Sequence, residues 1–361
     1  MKTLQYTILA MLSLSIVACS DSDDANEPQP ATPTAAIFNV LTDALLIAEN
    51  EIAQIEAEGD DLSFESDNEK VAIVTSDGLV KGIACGVTEI TVSNGTEQQS
   101  IAVKVTPQKY DGYTLVWNDE FNGSSLDQSS WNIETGGGGW GNQEKQYYTD
   151  RTENLSVSNG NLIITVRKEE YSGSSYTSGR VTTKNKHDFT YGRIEARIKL
   201  PKGGGTWPAF WMLGYGSWPR CGEIDIMEHM GNQPNIVSFA LHTTSVNGTA
   251  GNNWSSTPQI ANVENDYHIF GVEWTDKYEI STGIYRQAII FMVDGEALAT
   301  KIQEEATENV KTWPFFNPFY IILNCAIGGT MGGSIDNNIF TNQESQPVQM
   351  LVDWVRVYQA V

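Results

Sequence analysis

A chain of 361 residues has room for two or three domains, and an apolar content of 40% suffices for a sizeable core. Its net charge of −23 disfavours nucleic acid and anionic membrane surfaces as partners, while a neutral polymer such as a polysaccharide meets no such penalty; the acidity also serves solubility. The 32 glycines and 10 tryptophans lean towards an all-β protein with many turns.

Residues 1–19 read as a targeting segment and stay outside the fold. Lys2 supplies the positive end, and Tyr6 to Val17 forms an apolar stretch too short to span a bilayer. The stretch ends in Ile16-Val17-Ala18-Cys19, which resembles the bacterial lipobox. That resemblance implies lipidation at Cys19 and a lipid anchor in the bacterial cell envelope, at the outer membrane; the alternative is an ordinary cleaved signal with an incidental cysteine. Residues 20–34 begin Ser20-Asp21-Ser22-Asp23-Asp24 and turn Pro- and Thr-rich, the composition of a solvated, disordered tether. The acidic run resembles surface-export signals of some outer-membrane lipoproteins.

Residues 35–106 read as short strands, among them Val71 to Val74, Leu79-Val80, Thr88 to Val92 and Ile101 to Val105, divided by Ser76-Asp77-Gly78, Cys85-Gly86 and Asn94-Gly95. Strands so closely spaced suggest a small β-sandwich. The run from Ser66 to Gly82 is similar to the bacterial immunoglobulin-like group 2 module, and nothing in it looks catalytic. A spacer role is expected.

Thr106-Pro107-Gln108 opens a second domain over 110–361. Alternating segments dominate it: Leu162 to Val166, Gly192 to Ile198, Gln287 to Val293 and Leu351 to Val357. Val293-Asp294-Gly295-Glu296 reads as a hairpin turn, and Glu304 to Val310 is a short helix at most. The expected architecture is an all-β, jelly-roll-like sandwich of two large sheets, one curved face of which can carry a groove.

The chemistry concentrates in Gly222-Glu223-Ile224-Asp225-Ile226-Met227-Glu228-His229. Side chains alternate along a strand, so Glu223 and Asp225 share one face, and Ile224 and Ile226 the other. Glu228 lies five residues after Glu223 and falls on the wrong face unless a β-bulge near Ile226-Met227 absorbs one residue. Clustering three carboxylates is unfavourable without a metal or a task. Retaining glycoside hydrolysis is such a task, using a carboxylate nucleophile and a carboxylic acid about 5–5.5 Å apart. Asp225, shorter and between the two, would help to keep one neighbour protonated. The alternative is a solvated acidic strand face. Against it stand Trp207 and Trp211, four residues apart on the adjoining segment and so on one side of a strand, where indoles can stack on sugar rings; Phe210 and Met212 would face the core.

Thr206 to Leu213 followed by Gly222 to His229 resembles glycoside hydrolase family 16, in the form with one extra residue before the last glutamate. Further matches run along the domain at Trp117 to Phe121, Gly138 to Glu144, Tyr191 to Arg197, Leu200 to Gly203, Asn324 to Gly329 and Asp353 to Tyr358. The Gly-Gly-Trp-Gly-Asn-x-Glu stretch is similar to that of the laminarinases, endo-acting β-1,3-glucanases. The resemblance implies a concanavalin-like jelly roll with Glu223 as nucleophile, Asp225 as assisting carboxylate and Glu228 as acid/base. It also implies a groove whose sugar-binding residues include Trp140, Asn142, Arg180, Trp207 and Trp211. His242 matches a histidine near the acid/base, and a structural histidine is the alternative.

The family resemblance further implies a structural calcium held by Glu120, the Gly160 carbonyl and Asp353, oxygen ligands that suit that ion; pairing of both carboxylates with arginines is the alternative. No cofactor is expected for catalysis. Cys85, Cys221 and Cys325 fit no metal-ligand spacing, and the last two are either bridged or buried as small apolar residues. Other substrates remain open, namely mixed-linkage β-glucan and an algal galactan such as agar, as does a surface lipoprotein that binds glycan without cleaving it. A monomer is expected.

Overall fold

The computed structural model describes residues 37–305 and 309–361, and the targeting segment, Cys19 and the tether lie outside the described residues. Among the described residues regular structure is almost all strand, relieved by a helical turn at Gly329–Gly332 and a 3-10 turn at Asn337–Phe340. The segment Glu304 to Val310, expected to hold a short helix at most, falls partly outside the described residues.

The N-terminal region folds around its own core of Ile47, Ile55, Ala72, Val80, Ile90, Val92, Ile101 and Val103. Strands Gly86–Ser93 and Gln98–Thr106 pair antiparallel, and Ala44–Ala48 adds to the latter in parallel. The strand Leu79–Gly82 lies between Ile52–Gln54 and Ala72–Val74 in a second, three-stranded sheet. This is the small β-sandwich that alternation and turn spacing lead one to expect.

The C-terminal region stacks a ten-stranded sheet on a seven-stranded one. The larger sheet contributes Leu162, Ile164, Ile194, Ile198, Phe270, Val272, Phe291, Val352 and Val357 to the layer between them, and the smaller contributes Phe210, Met212, Ile224, Phe239, Leu241, Ile321 and Leu323. Period-2 sequence patterns thus become two apolar inner faces, each leaving an outer face free for polar work. The Val293–Glu296 turn closes a hairpin, with Asp294 and Gly295 both in the left-handed region at φ 52° and 80°, as a two-residue turn of this hand requires.

The two regions meet on the outer face of the larger sheet. Arg356, 1% exposed, donates to both oxygens of Glu120 at 2.8 Å and to both oxygens of Glu49, in the N-terminal sandwich, at 2.6 and 2.9 Å. Glu49 also accepts the Cys85 N–H. In the connection, Tyr110 donates to Glu195 and covers the Arg193 guanidinium.

Candidate active site

The smaller sheet runs in the order Asn132–Ile133, Arg180–Thr182, Phe319–Ile327, Thr206–Gly214, Glu223–His229, Val237–His242, Trp254–Ser256. Its inner residues pack on the core, so the alternate set faces outward: Arg180, Asn324, Trp207, Ala209, Trp211, Glu223, Asp225 and His242. Strict alternation would send Glu228 inward. It does not, because the pairing of Glu223–His229 with Thr206–Gly214 jumps from Met227 opposite Phe210 to Asp225 opposite Trp211, leaving Ile226 without a counterpart. The same slip occurs against Val237–His242, between Asp225 and Glu228. Ile226 and Met227 both sit in the core, fully buried, and Glu228 emerges beside its fellow acids. The expected bulge is where the sequence demanded it.

The acids line a cleft of about 380 Å³ together with Trp140, Asn142, Arg180, Trp207, Trp211 and Trp218. Burial pushes all three carboxyls up. Glu228 rises to about 8, through burial first and the Asp225 charge second. Glu223 is raised well above the usual range by burial and then by Asp225, while the His242 ring and the Trp218 indole act the other way. Glu228 is therefore a carboxylic acid at neutral pH, with one oxygen already engaged: Trp207 donates its indole N–H to Oε1 at 3.0 Å. A group placed to give up a proton needs this protonation state.

Trp140, Asn142, Arg180, Trp207 and Trp211 line the cleft, whereas His242, also expected to bind substrate, stands behind the carboxylates and is not among the lining residues. Trp211 donates to Asn324 Oδ1 at 2.7 Å, and the Arg180 guanidinium stands 4.7 Å from the Trp140 ring and 4.9 Å from the Trp211 ring. Glu134 holds the Arg180 Nε at 2.5 Å, which keeps the cation between the two indoles. Trp207 is only 6% exposed, so its role includes the hydrogen bond to Glu228 beside any contact with a sugar. His242 Nε2 stands 3.1 Å from Asp225 Oδ2 and 3.6 Å from Glu223 Oε1.

Three cleft residues, Glu144, Trp218 and Thr249, and Glu134 behind Arg180 were not assigned a role from sequence. Glu144 accepts from Asn142, Gln146 and Tyr148, and Tyr148 in turn accepts from Asn324, a chain that ends at Trp211. Glu134 lies two residues upstream of the glycine run and carries no motif of its own. Trp218, 42% exposed, and Thr249, on the loop after His242, complete the lining. Glu144 closes the Gly-Gly-Trp-Gly-Asn-Gln-Glu stretch and Trp218 opens a Trp-Pro pair, so both had a signal; Thr249 had none.

At the expected calcium position, Glu120 accepts from Arg356 through both oxygens and Asp353 accepts from Arg197 at 2.7 Å. Each carboxylate faces an arginine, the alternative reading of these residues, and no step below uses calcium. Cys221 and Cys325 are unbridged and buried, and Cys85 is unbridged and half-buried.

The profile of glycosyl hydrolases family 16 matches residues 142–356, and that of the bacterial Ig-like domain (group 2) matches residues 47–105. A beta-glucanase of Rhodothermus marinus is 42% identical over 260 residues, covering 69% of this chain and 86% of the relative. The glucan endo-1,3-beta-glucosidase A1 of Niallia circulans is 36% identical over 73% of this chain, which spans 40% of that larger protein. The solved laminarinase of Flavobacterium sp. UMI-01 superposes with a TM-score of 0.59 at 41% identity, covering 68% of this chain and all of that one. With the bulged acidic strand, the tryptophan-lined cleft and these likenesses together, the chain belongs to glycoside hydrolase family 16, as a β-glucan hydrolase carrying a bacterial immunoglobulin-like group 2 domain ahead of its catalytic sandwich.

Proposed function

We propose that the enzyme is a retaining endo-β-1,3-glucanase of the laminarinase type. Glu228 protonates the leaving glycosidic oxygen while the Glu223 carboxylate attacks the anomeric carbon, giving a glycosyl-enzyme intermediate. Glu228, now ionised, then takes a proton from the water that hydrolyses it. Asp225 lies between the two, and its charge raises Glu228, keeping the acid protonated until the bond breaks. The observation that carries the reading is the bulge at Ile226-Met227, which sets Glu228 on the face of Glu223. The side chains suffice for this chemistry without a cofactor.

Reducing-sugar release from laminarin tests the activity. Wild type is expected to be active and Glu223→Ser inactive; an active serine variant would overturn the assignment. Product anomers followed by NMR test retention. A parallel assay on lichenan and agarose tests linkage, and one solved relative, described as a non-specific endo-beta-1,3(4)-glucanase at 38% identity, favours some activity on mixed-linkage glucan.

We further propose that Cys19 is lipidated and that the enzyme is a monomer anchored at the bacterial outer membrane. The Ile16-Val17-Ala18-Cys19 run supports the anchor. Labelling of the expressed protein by radioactive palmitate, absent in Cys19→Ala, is the expected result.

A further inference from the structure

The loop between Val237–His242 and Trp254–Ser256 contains Asn247-Gly248-Thr249, a triplet that no step above uses. It is tightly built. Asn247, 7% exposed, donates to the Thr243 and Thr244 carbonyls and accepts the Ala250 N–H through Oδ1, while its own N–H goes to Asn252. These bonds hold Gly248 against the catalytic cluster, where its N–H donates to His242 Nδ1 at 2.9 Å. A Cβ at position 248 would stand 3.2 Å from His242 Cε1, so glycine lets the backbone approach this closely.

A ring nitrogen that accepts an N–H carries a lone pair and no proton. The single proton of a neutral His242 is then on Nε2, the nitrogen 3.1 Å from Asp225 Oδ2 and 3.6 Å from Glu223 Oε1. Asp225 Oδ2 is buried and accepts no hydrogen bond, and the His242 Nε2 that stands 3.1 Å away is the nitrogen placed to offset its charge.

We propose that the Asn247-Gly248-Thr249 loop is part of the active site, and that the Gly248 N–H fixes the His242 tautomer so that Nε2–H stabilises the ionised forms of Asp225 and Glu223. Gly248 and His242 are positioning residues: they act through the carboxylates, favouring two anions there and leaving the proton on Glu228. The same tautomer turns a protonated nitrogen towards the two acids. Although ligand atoms of Glu223, Asp225 and His242 lie within 4.8 Å of one another, the cluster is thereby a poor seat for a divalent cation, which needs the ring's lone pair. The charged and titratable groups facing the ring are Glu223 and Asp225, with Glu228 and Cys221 beyond them.

The kinetic part rests on the hydrolase reading above, so the test has an arm that needs no substrate. Nitrogen-15 NMR of histidine-labelled protein, with His242 assigned from the spectrum of His242→Gln, is expected to show Nδ1 unprotonated and Nε2 protonated at neutral pH. Gly248→Pro, which lacks the N–H, is expected to populate the other tautomer. In Gly248→Ala the methyl group, crowding Cε1, is expected to lengthen the bond to Nδ1, so that variant serves if the proline variant does not fold. On laminarin, His242→Phe should lower kcat roughly tenfold to a hundredfold with little change in KM, the loss expected for one hydrogen bond to a charged group. Its acid limb of kcat/KM should move to higher pH, because Glu223 loses a donor that favours its anion. His242→Gln, whose amide can donate from a similar place, should recover part of both. A wild-type ring protonated on Nδ1, or a His242→Phe profile with an unmoved acid limb, would overturn the proposal. Absence of glucan hydrolysis beside the expected tautomer would overturn the function and leave the loop's role standing.

Discussion

The indole N–H of Trp207 donates to Oε1 of Glu228 at 3.0 Å, from two residues along the strand whose Ala209 pairs with Glu228. One oxygen of the acid is thereby held in place while the other is left for the proton it transfers. The bond also favours the anion, so it moderates the rise that burial and Asp225 impose.

The basic limb of kcat/KM should consequently fall near pH 8, where Glu228 loses its proton. Trp207→Phe removes the donor. Its basic limb is expected at higher pH, and kcat should drop about tenfold to a hundredfold through lost orientation of the acid. A pH profile on laminarin checks both; an unmoved limb would separate Trp207 from the acid's titration.

The same acid weakens the fold. A carboxyl whose folded pKa exceeds its unfolded value binds more protons when folded, so its contribution is fully present below about pH 4.5 and is lost as pH rises through about 8. Glu223 and Asp225 share the direction. Glu228→Gln cannot ionise, and its melting temperature should exceed that of wild type at pH 9 by clearly more than at pH 5. Calorimetry at the two pH values decides it, and an equal offset at both would contradict the linkage. Activity should be lost in the same variant, the usual exchange of stability for function at a catalytic site.

Glu49 reaches from the N-terminal sandwich to Arg356 beneath the catalytic one. In Glu49→Ala the buried guanidinium keeps Glu120 but loses two bonds, at a cost of about 1–3 kcal/mol in urea unfolding. Laminarin turnover should be unchanged, because the pair lies on the sheet opposite the cleft. A matching loss of turnover would mean that the module does more than support the fold.

Gly222 precedes the nucleophile at φ 81°, and a Cβ there would stand 2.6 Å from Pro314 Cγ and 2.8 Å from Phe319 Cζ. Gly222→Ala therefore meets both backbone strain and a packed wall. It should destabilise by about 1–3 kcal/mol and lower kcat by displacing Glu223. A variant as stable and as active as wild type would show that the strand start tolerates movement.

The order of these residues along the chain determined a great deal. Alternation in segments such as Leu162 to Val166 and Leu351 to Val357 is a local property, fixed by which side of a strand each residue takes, so the all-β class and the inner faces were legible. The five-residue step from Glu223 to Glu228 is also local, and with an acid required at the cleft it admits only a bulge. Tertiary structure decided what depends on residues far apart in sequence. Glu134 gains its meaning from Arg180, 46 residues away, and Glu49 from Arg356, 307 residues away. Glu120 and Asp353 read as bare carboxylates in the string, and the folded sheet turns arginines towards both. Gly248 reads as a turn glycine until the loop folds its N–H onto His242. Periodicity is carried by neighbours along the chain; hydrogen-bond partners and charge neutralisation are set by which strands the sheet brings side by side.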